Sequence, residues 1–268
     1  MIGRDQRKGC QAPAAGSGAA RWHPGRRRQA SPRVLIAAGI VVVALAAVGA
    51  ALGVALSGGS SKANVPARGS LVDALPGAPD VQRELEGIPQ RGNVLGSPSA
   101  PVTLVEYVDL QCPYCRQFET EALPELLTRY VRPGKLEVEA RIVAFIGSDS
   151  ERGRAAAIAA GRQSKLFNFT QLLYFNQGVE NTGWLDDDMV TSAAASIPGL
   201  DVPRLLSDRS STSTEEQASA FDSQANADGV TETPTILVGK SGATPRQVTL
   251  ASSDDVQSVA AAIQAVLG

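Results

Sequence analysis

The hydrophobic and polar positions along the chain fall into three regimes. Residues 34–56, VLIAAGIVVVALAAVGAALGVAL, form an apolar run with no charged or strongly polar side chain. At 1.5 Å per residue, about 23 helical residues reach about 34 Å, enough to cross a hydrocarbon core of about 30 Å. Residues 58–70, GGSSKANVPARGS, lack periodicity and have the Gly, Ser and Pro content of a flexible tether. Periodic segments begin beyond it, with a short helix predicted around Asp80–Glu86 and a turn-rich stretch, IPQRGNVLGSPSAP, that has room for an edge strand. The β-branched segment VTLVEYV at 102–108 predicts a buried strand despite the acid inside it. A helix is predicted from Pro113 to about Tyr130, closed by Pro133-Gly134, and a second strand in KLEVEARIVAF at 135–145.

Helical patterns dominate residues 150–227: RAAAIAAGRQ, FTQLLYF, DDDMVTSAAASI, and a capping box from Ser213 to Glu216 that opens a helix to about Ala227. Two short strands, TPTILVG and RQVTL, follow with a Gly-containing turn between them, and an amphipathic helix at about 253–267 carries Asp254 and Asp255 in its first turn. The order is βαβ, a helical insert, then ββα, which suits a mixed sheet covered by helices. The chain therefore divides into a tail (1–33), a transmembrane helix (34–56), a linker with an N-terminal extension (57–87), and an α/β domain (88–268) with its helical insert at about 150–212. Trp184, Phe167, Phe169, Tyr174 and Phe175 read as core of that insert, and Asp186 to Asp188 as a helix N-terminus.

Charge adds a direction. The net formal charge of −2 hides a basic tail, where Arg4, Arg7, Lys8, Arg21, Arg26, Arg27, Arg28 and Arg33 face a single acid, Asp5. Such a cluster ahead of an apolar run is expected to stay cytoplasmic, giving a single-pass protein of the cell membrane with residues 58–268 extracytoplasmic. A cleaved secretory signal is the alternative, although signal cores run to about 7–15 residues, and Arg27-Arg28 fits a twin-arginine signal poorly. After residue 57 about 17 basic residues face about 26 acidic ones, and roughly nine negative charges argue against nucleic-acid binding.

The chemistry is concentrated in Cys112-Pro113-Tyr114-Cys115. The third cysteine, Cys10, lies before the apolar run, on the reducing side, and reads as an incidental thiol. A disulfide across two residues adds little stability, so a purely structural role is the weaker reading. At a strand-to-helix junction, unpaired amide groups and the helix dipole favour a Cys112 thiolate, while Cys115, one turn further in, is placed to resolve a mixed disulfide. Zinc would need about four Cys or His ligands, but apart from this pair the exported part has neither; the one histidine, His23, is in the tail. No metal is expected.

The residues APVTLVEYVDLQCPYC, followed much later by TPTILVG, resemble the DsbA-like branch of the thioredoxin superfamily, over roughly residues 88–268. The resemblance implies a thioredoxin-like fold and a thiol:disulfide oxidoreductase with no cofactor beyond a redox-active disulfide from Cys112 to Cys115. It implies a cis Pro234 facing the cysteines, with Thr233 offering backbone groups to an extended substrate, and a buried Glu106 that relays protons to Cys115. From the residues alone, Glu106 reads rather as an outward-facing residue on a half-exposed strand, and Pro234 could merely start a strand. Asp109 competes with Glu106, but its place near a strand end suggests a solvated side chain. Pro113 and Tyr114 support the site. Where strongly oxidising members carry His, Tyr114 supplies no positive charge, so a less oxidising potential is expected.

The leading expectation is oxidation of exported proteins by a monomeric enzyme, reoxidised by a quinone-linked membrane partner of the DsbB or vitamin-K-epoxide-reductase type. The alternatives are a reductase or isomerase using the same site, and a membrane-tethered binding domain whose disulfide is inert.

Overall fold

In the computed structural model, residues 10–11 and 65–268 are described, so the apolar run at 34–56 lies outside them. Among the described residues no helix is long and apolar enough to cross a membrane. In chain order the elements are β1 (Cys10–Gln11), α1 (Ala78–Leu85), β2 (Gln90–Arg91), β3 (Val94–Gly96), β4 (Val102–Val108), α2 (Pro113–Gln117), α3 (Leu123–Leu126) and β5 (Leu136–Ile142). The helical insert contributes α4 (Ser148–Gly161), α5 (Leu166–Phe175), α6 (Asp187–Ala195) and α7 (Val202–Asp208). The chain closes with α8 (Thr212–Ala227), β6 (Glu232–Thr233), β7 (Thr235–Lys240), β8 (Arg246–Gln247) and α9 (Val256–Leu267).

The main sheet has the order β2-β3-β5-β4-β7-β8. Strand β4 is central, parallel to β5 and antiparallel to β7, and covered on both faces, so six of its seven positions are buried. That demand explains a near-continuous apolar run where a half-exposed strand would alternate. Strand β5 does alternate: Leu136, Val138, Ala140 and Ile142 point to the core.

The helix after β4 is continuous from Pro113 to Val131, but two of its stretches, Phe118–Ala122 and Leu127–Val131, have the wider i→i+5 turn. Pro124 stands between them, and a ring that lacks an N–H cannot close the ordinary i→i−4 bond.

In the insert, Phe167, Phe169 and Tyr174 are buried as predicted, whereas Phe175 is exposed and its ring lies where a Cβ on Gly77 would fall. Asp186 caps α6, accepting from the Met189 N–H at 2.8 Å. The predicted capping box from Ser213 to Glu216 does not form. Helix α8 starts at Thr212, and Ser211 at its N-cap donates its hydroxyl to the Asp208 carbonyl at 2.7 Å, because the turn from α7 is too short to leave Ser213 outside the helix.

The Gly, Ser and Pro-rich stretch is fixed at its end. The Gly69 N–H donates to the Leu200 carbonyl at 2.9 Å, the Ser70 N–H to the Ala195 carbonyl at 2.8 Å, and the Leu75 N–H to Ser196 Oγ at 2.9 Å. Residues 67–75 are thus a strap laid across α6 and α7. Gly69 allows the approach: a Cβ there would lie 2.2 Å from the Ile197 carbonyl oxygen and 2.5 Å from that of Ala194. Gly69→Ala must therefore push the strap off the insert, and a loss of about 1–3 kcal/mol is expected. Urea unfolding of the two proteins, with unchanged m-values, checks it; equal midpoints would mean that the strap contributes nothing.

Candidate active site

Strand β4 ends at Val108, and the chain turns through Asp109, Leu110 and Gln111 into the helix. The turn closes with the Cys112 N–H donating to the Asp109 carbonyl at 3.0 Å. Cys112 is the N-cap of α2 in extended conformation, with Pro113 at the first helical position, where its missing N–H costs nothing. Cys115 is a free, fully buried thiol, whose sulfur accepts from the Asp109 N–H at 3.4 Å. Cys112 takes part in a disulfide. The outer sulfur, at the helix terminus, is the one engaged. Burial pushes the Cys115 thiol well above its ordinary value; hydrogen bonding to Thr233 and to the Asp109 N–H opposes this, and the charges of Asp109 and Glu119 add to it.

Asp109 is not solvated. It is fully buried, and its carboxylate accepts four hydrogen bonds: Oδ1 from the Gln111 N–H at 2.9 Å and the Ser150 hydroxyl at 2.6 Å, Oδ2 from the N–H groups of Phe145 and Ile146 at 2.7 and 3.1 Å. Gln111 extends this network. Its amide Nε2 donates to Ser150 Oγ at 3.0 Å, and its Oε1 accepts from the Asn181 N–H at 2.8 Å. From the same insert loop, Gln177 Nε2 donates to the carbonyls of Leu110 at 2.9 Å and Cys112 at 3.2 Å. Gln111, Ser150, Gln177 and Asn181 have no signature in the sequence, since their partners lie far along the chain.

Glu106 occupies the middle of β4, opposite Ala140 of β5 and Ile236 of β7, and is 1% exposed. Burial raises its pKa to about 8, with a hydrogen bond to Glu119 opposing. Glu119, equally buried, sits in the wide turn after α2, and its Oε2 accepts from Gln171 Nε2 at 2.5 Å. Burial and then the charge of Glu106 drive the Glu119 pKa well up. A sequence signal for Glu119 existed: four residues beyond Cys115, it shares that cysteine's helix face.

The Thr233–Pro234 bond is cis. Thr233 is fully buried, and its carbonyl oxygen lies 3.4 Å from Cys112 Sγ. The backbone of β1 pairs antiparallel with β6, Cys10 opposite Thr233 and Gln11 opposite Glu232, so an extended segment runs beside Cys112, whose side chain has no solvent exposure in this state. Tyr114 is half-buried against the core. Among the described residues no cluster of His, Cys, Asp and Glu could hold a metal. A cavity of about 170 Å³, lined by Asn93, Ile158, Leu166 and Phe221 among others, is formed by none of the site residues.

The pKa of Glu106 has a consequence for stability. Its folded value of about 8 lies above its ordinary 4.5, so the folded state holds a proton that the unfolded state releases, and stability falls as pH rises from about 4.5 to 8. Glu106→Gln removes that loss, and we expect the variant to be more stable by about 1–3 kcal/mol at pH 7, with no gain at pH 4. Denaturant midpoints at the two pH values check it; a variant less stable at pH 7 would show that the carboxyl is wanted ionised.

With the geometry in place, comparison with known proteins gives a consistent answer. A family model described as thioredoxin matches residues 90–253. The probable disulfide bond formation protein D of Bacillus cereus is 32% identical over 154 residues, covering 56% of this chain and 71% of that protein. Disulfide bond formation protein D of Bacillus subtilis is 28% identical over 172 residues, covering 62% and 72%. Among solved structures, oxidised BdbD from Bacillus subtilis aligns with a TM-score of 0.58 at 20% identity, over 67% of this chain and 97% of that one. Wolbachia pipientis alpha-DsbA1 aligns with a TM-score of 0.55 at 16% identity, over 68% and 91%. The solved structures share the fold, and the chain belongs to the thioredoxin family and is a disulfide oxidoreductase related to disulfide bond formation protein D.

Proposed function

We propose that this protein forms disulfides in exported proteins through Cys112 and Cys115, with their mutual disulfide as the redox centre and no further cofactor. The observation that carries the proposal is the placement of the two sulfurs: Cys112 at a helix N-cap, 3.4 Å from the backbone of the cis-proline loop, and Cys115 buried one turn behind it. A substrate thiolate attacks Cys112 in the enzyme disulfide, and Cys115 leaves. The leaving sulfur is buried and holds its proton tightly, and the Glu106–Glu119 carboxyl pair, in which Glu106 is protonated at neutral pH, is the local proton source. A second substrate thiolate then attacks its own sulfur in the mixed disulfide, forming the substrate disulfide and releasing Cys112 as thiolate.

The edge at Glu232–Thr233 accepts an extended segment in antiparallel register, as its pairing with β1 illustrates. In a chain anchored through residues 34–56, with the domain extracytoplasmic, Cys10 lies across the membrane from that edge, and a segment of another polypeptide takes the place of β1. Each cycle leaves the enzyme reduced, so it needs an oxidant, and a quinone-linked membrane partner fits an anchored enzyme. The reductase reading keeps the same residues, and Tyr114, which brings no positive charge to the motif, favours it over a strongly oxidising site.

The equilibrium redox potential of the full-length protein in glutathione buffers separates the two. A potential well above the roughly −270 mV of thioredoxin supports the oxidase, and one near that value the reductase. Cys112→Ser should abolish exchange, while Cys115→Ser should accumulate a mixed disulfide visible by non-reducing electrophoresis. A disulfide inert to glutathione, with both variants unchanged, would leave a binding domain.

A further inference from the structure

We infer that Asp109 is a positioning residue that decides how a mixed disulfide on Cys112 resolves: its buried carboxylate, fixed beside the inner sulfur, restrains Cys115 and leaves the substrate's second thiol to finish the exchange. The inference rests on the exchange chemistry proposed above and adds a determinant of its direction.

A mixed disulfide has two fates. The Cys115 thiolate can attack Cys112, forming the enzyme disulfide and expelling the substrate as a thiolate, unoxidised. Alternatively, the substrate's second thiolate attacks the substrate sulfur, forming the substrate disulfide and expelling Cys112 as a thiolate. Both are internal exchanges that need no added oxidant, and they compete through the thiolate fraction of Cys115.

The hydrogen-bond directions define the state of Asp109. Three of its donors are backbone N–H groups, which can only donate. The fourth, the Ser150 hydroxyl, already accepts from Gln111 Nε2, so its own proton is directed at Asp109 Oδ1, 2.6 Å away. Four protons pointing at two oxygens fill the acceptor sites of a carboxylate and favour that form, against the burial that raises its pKa. The same residue's N–H rests on Cys115 Sγ at 3.4 Å, so the charge belongs to the corner that holds the inner sulfur, where burial limits screening.

The groups that face Cys115 come from four elements: Asp109 from the end of β4, Glu119 from the wide turn after α2, Tyr174 from α5 and Thr233 from β6. Tyr174 donates its hydroxyl to the Asp109 carbonyl at 3.3 Å and is neutral, and Thr233 carries no charge. Burial and then Glu106 drive Glu119 well up, toward its neutral form, with no lowering hydrogen bond against them, whereas at Asp109 the same burial is opposed by four hydrogen bonds that favour the anion. Opposing this charge, the four donors neutralise part of it, and Ser150 is the one that can be removed without touching the backbone.

This gives two variants with opposite signs. When the reduced full-length protein is mixed with excess glutathione disulfide, Cys112 takes up one glutathione and releases the other, and Cys115 then closes the enzyme disulfide. Acid quenching with mass spectrometry yields the first-order closure constant. Asp109→Asn removes the charge and should speed closure about threefold to tenfold at neutral pH, the range expected when the thiolate gained is partly offset by lower nucleophilicity. Ser150→Ala leaves the charge less neutralised and should slow closure. Residues that merely held the site together would move the two constants the same way, and that result, or no change in either, overturns the inference. If Asp109→Asn does not fold, Ser150→Ala decides alone: slower closure supports the inference, and equal or faster closure overturns it. A wild-type protein that takes up no glutathione would remove the exchange reading and this inference with it, whereas normal uptake with closure indifferent to both variants removes only the inference.

Discussion

Four donors converge on the Asp109 carboxylate, and through them the end of the central strand holds three parts of the chain that are remote in sequence. The redox turn is held through the Gln111 N–H, the chain after β5 through Phe145 and Ile146, and the insert through Ser150 of α4. A buried carboxylate is costly unless its hydrogen-bonding capacity is filled, so this arrangement tolerates little variation in where those parts sit. The geometry of Cys112 and Cys115 follows from it, since the turn that delivers them is anchored at both Asp109 and Gln111.

Around this anchored turn the protein buries two further carboxyl groups, and they obey a different rule. Asp109 has donors enough to stay charged. Glu106 and Glu119 face each other with few donors, so burial drives both toward the neutral form. Burial pushes the pKa of all three carboxyls up, and at Asp109 four hydrogen bonds oppose it. At Glu106 this costs stability as the pH rises from about 4.5 to 8.

The insert does more than cover the sheet. Its loop carrying Gln177 and Asn181 reaches the carbonyls of Leu110 and Cys112 and the side chain of Gln111, while α6 and α7 receive the strap of residues 67–75. The segment that leads toward the chain's apolar run is thereby attached to the element that also frames the redox turn. The proposed exchange site lies at a strand edge beside the cis-proline loop, apart from the cavity lined by Asn93, Ile158, Leu166 and Phe221.

Much of this was legible in the chain because it depends on local physics. The β-branched run of β4, the helix opening at Pro113, the alternation of β5 and the cysteines one helical turn apart report backbone preferences and periodicities that act over a few residues. The thioredoxin-like order of elements, and the place of the cysteines at a strand-to-helix junction, follow from them. The cap of α8 was misplaced by two residues, because Ser211 and Ser213 are equally good capping chemistry and only the tight turn from α7 chooses between them. Phe175 looked like core for the same reason that its neighbours are core, yet it ends its helix and faces out. What only the tertiary structure decided is the fate of polar groups. Whether Asp109 is solvated or buried, whether Glu119 meets Glu106, and whether Gln111 finds Ser150 and Asn181 depend on partners tens of residues away, because hydrogen bonding and desolvation are set by who arrives in space, which no local pattern records.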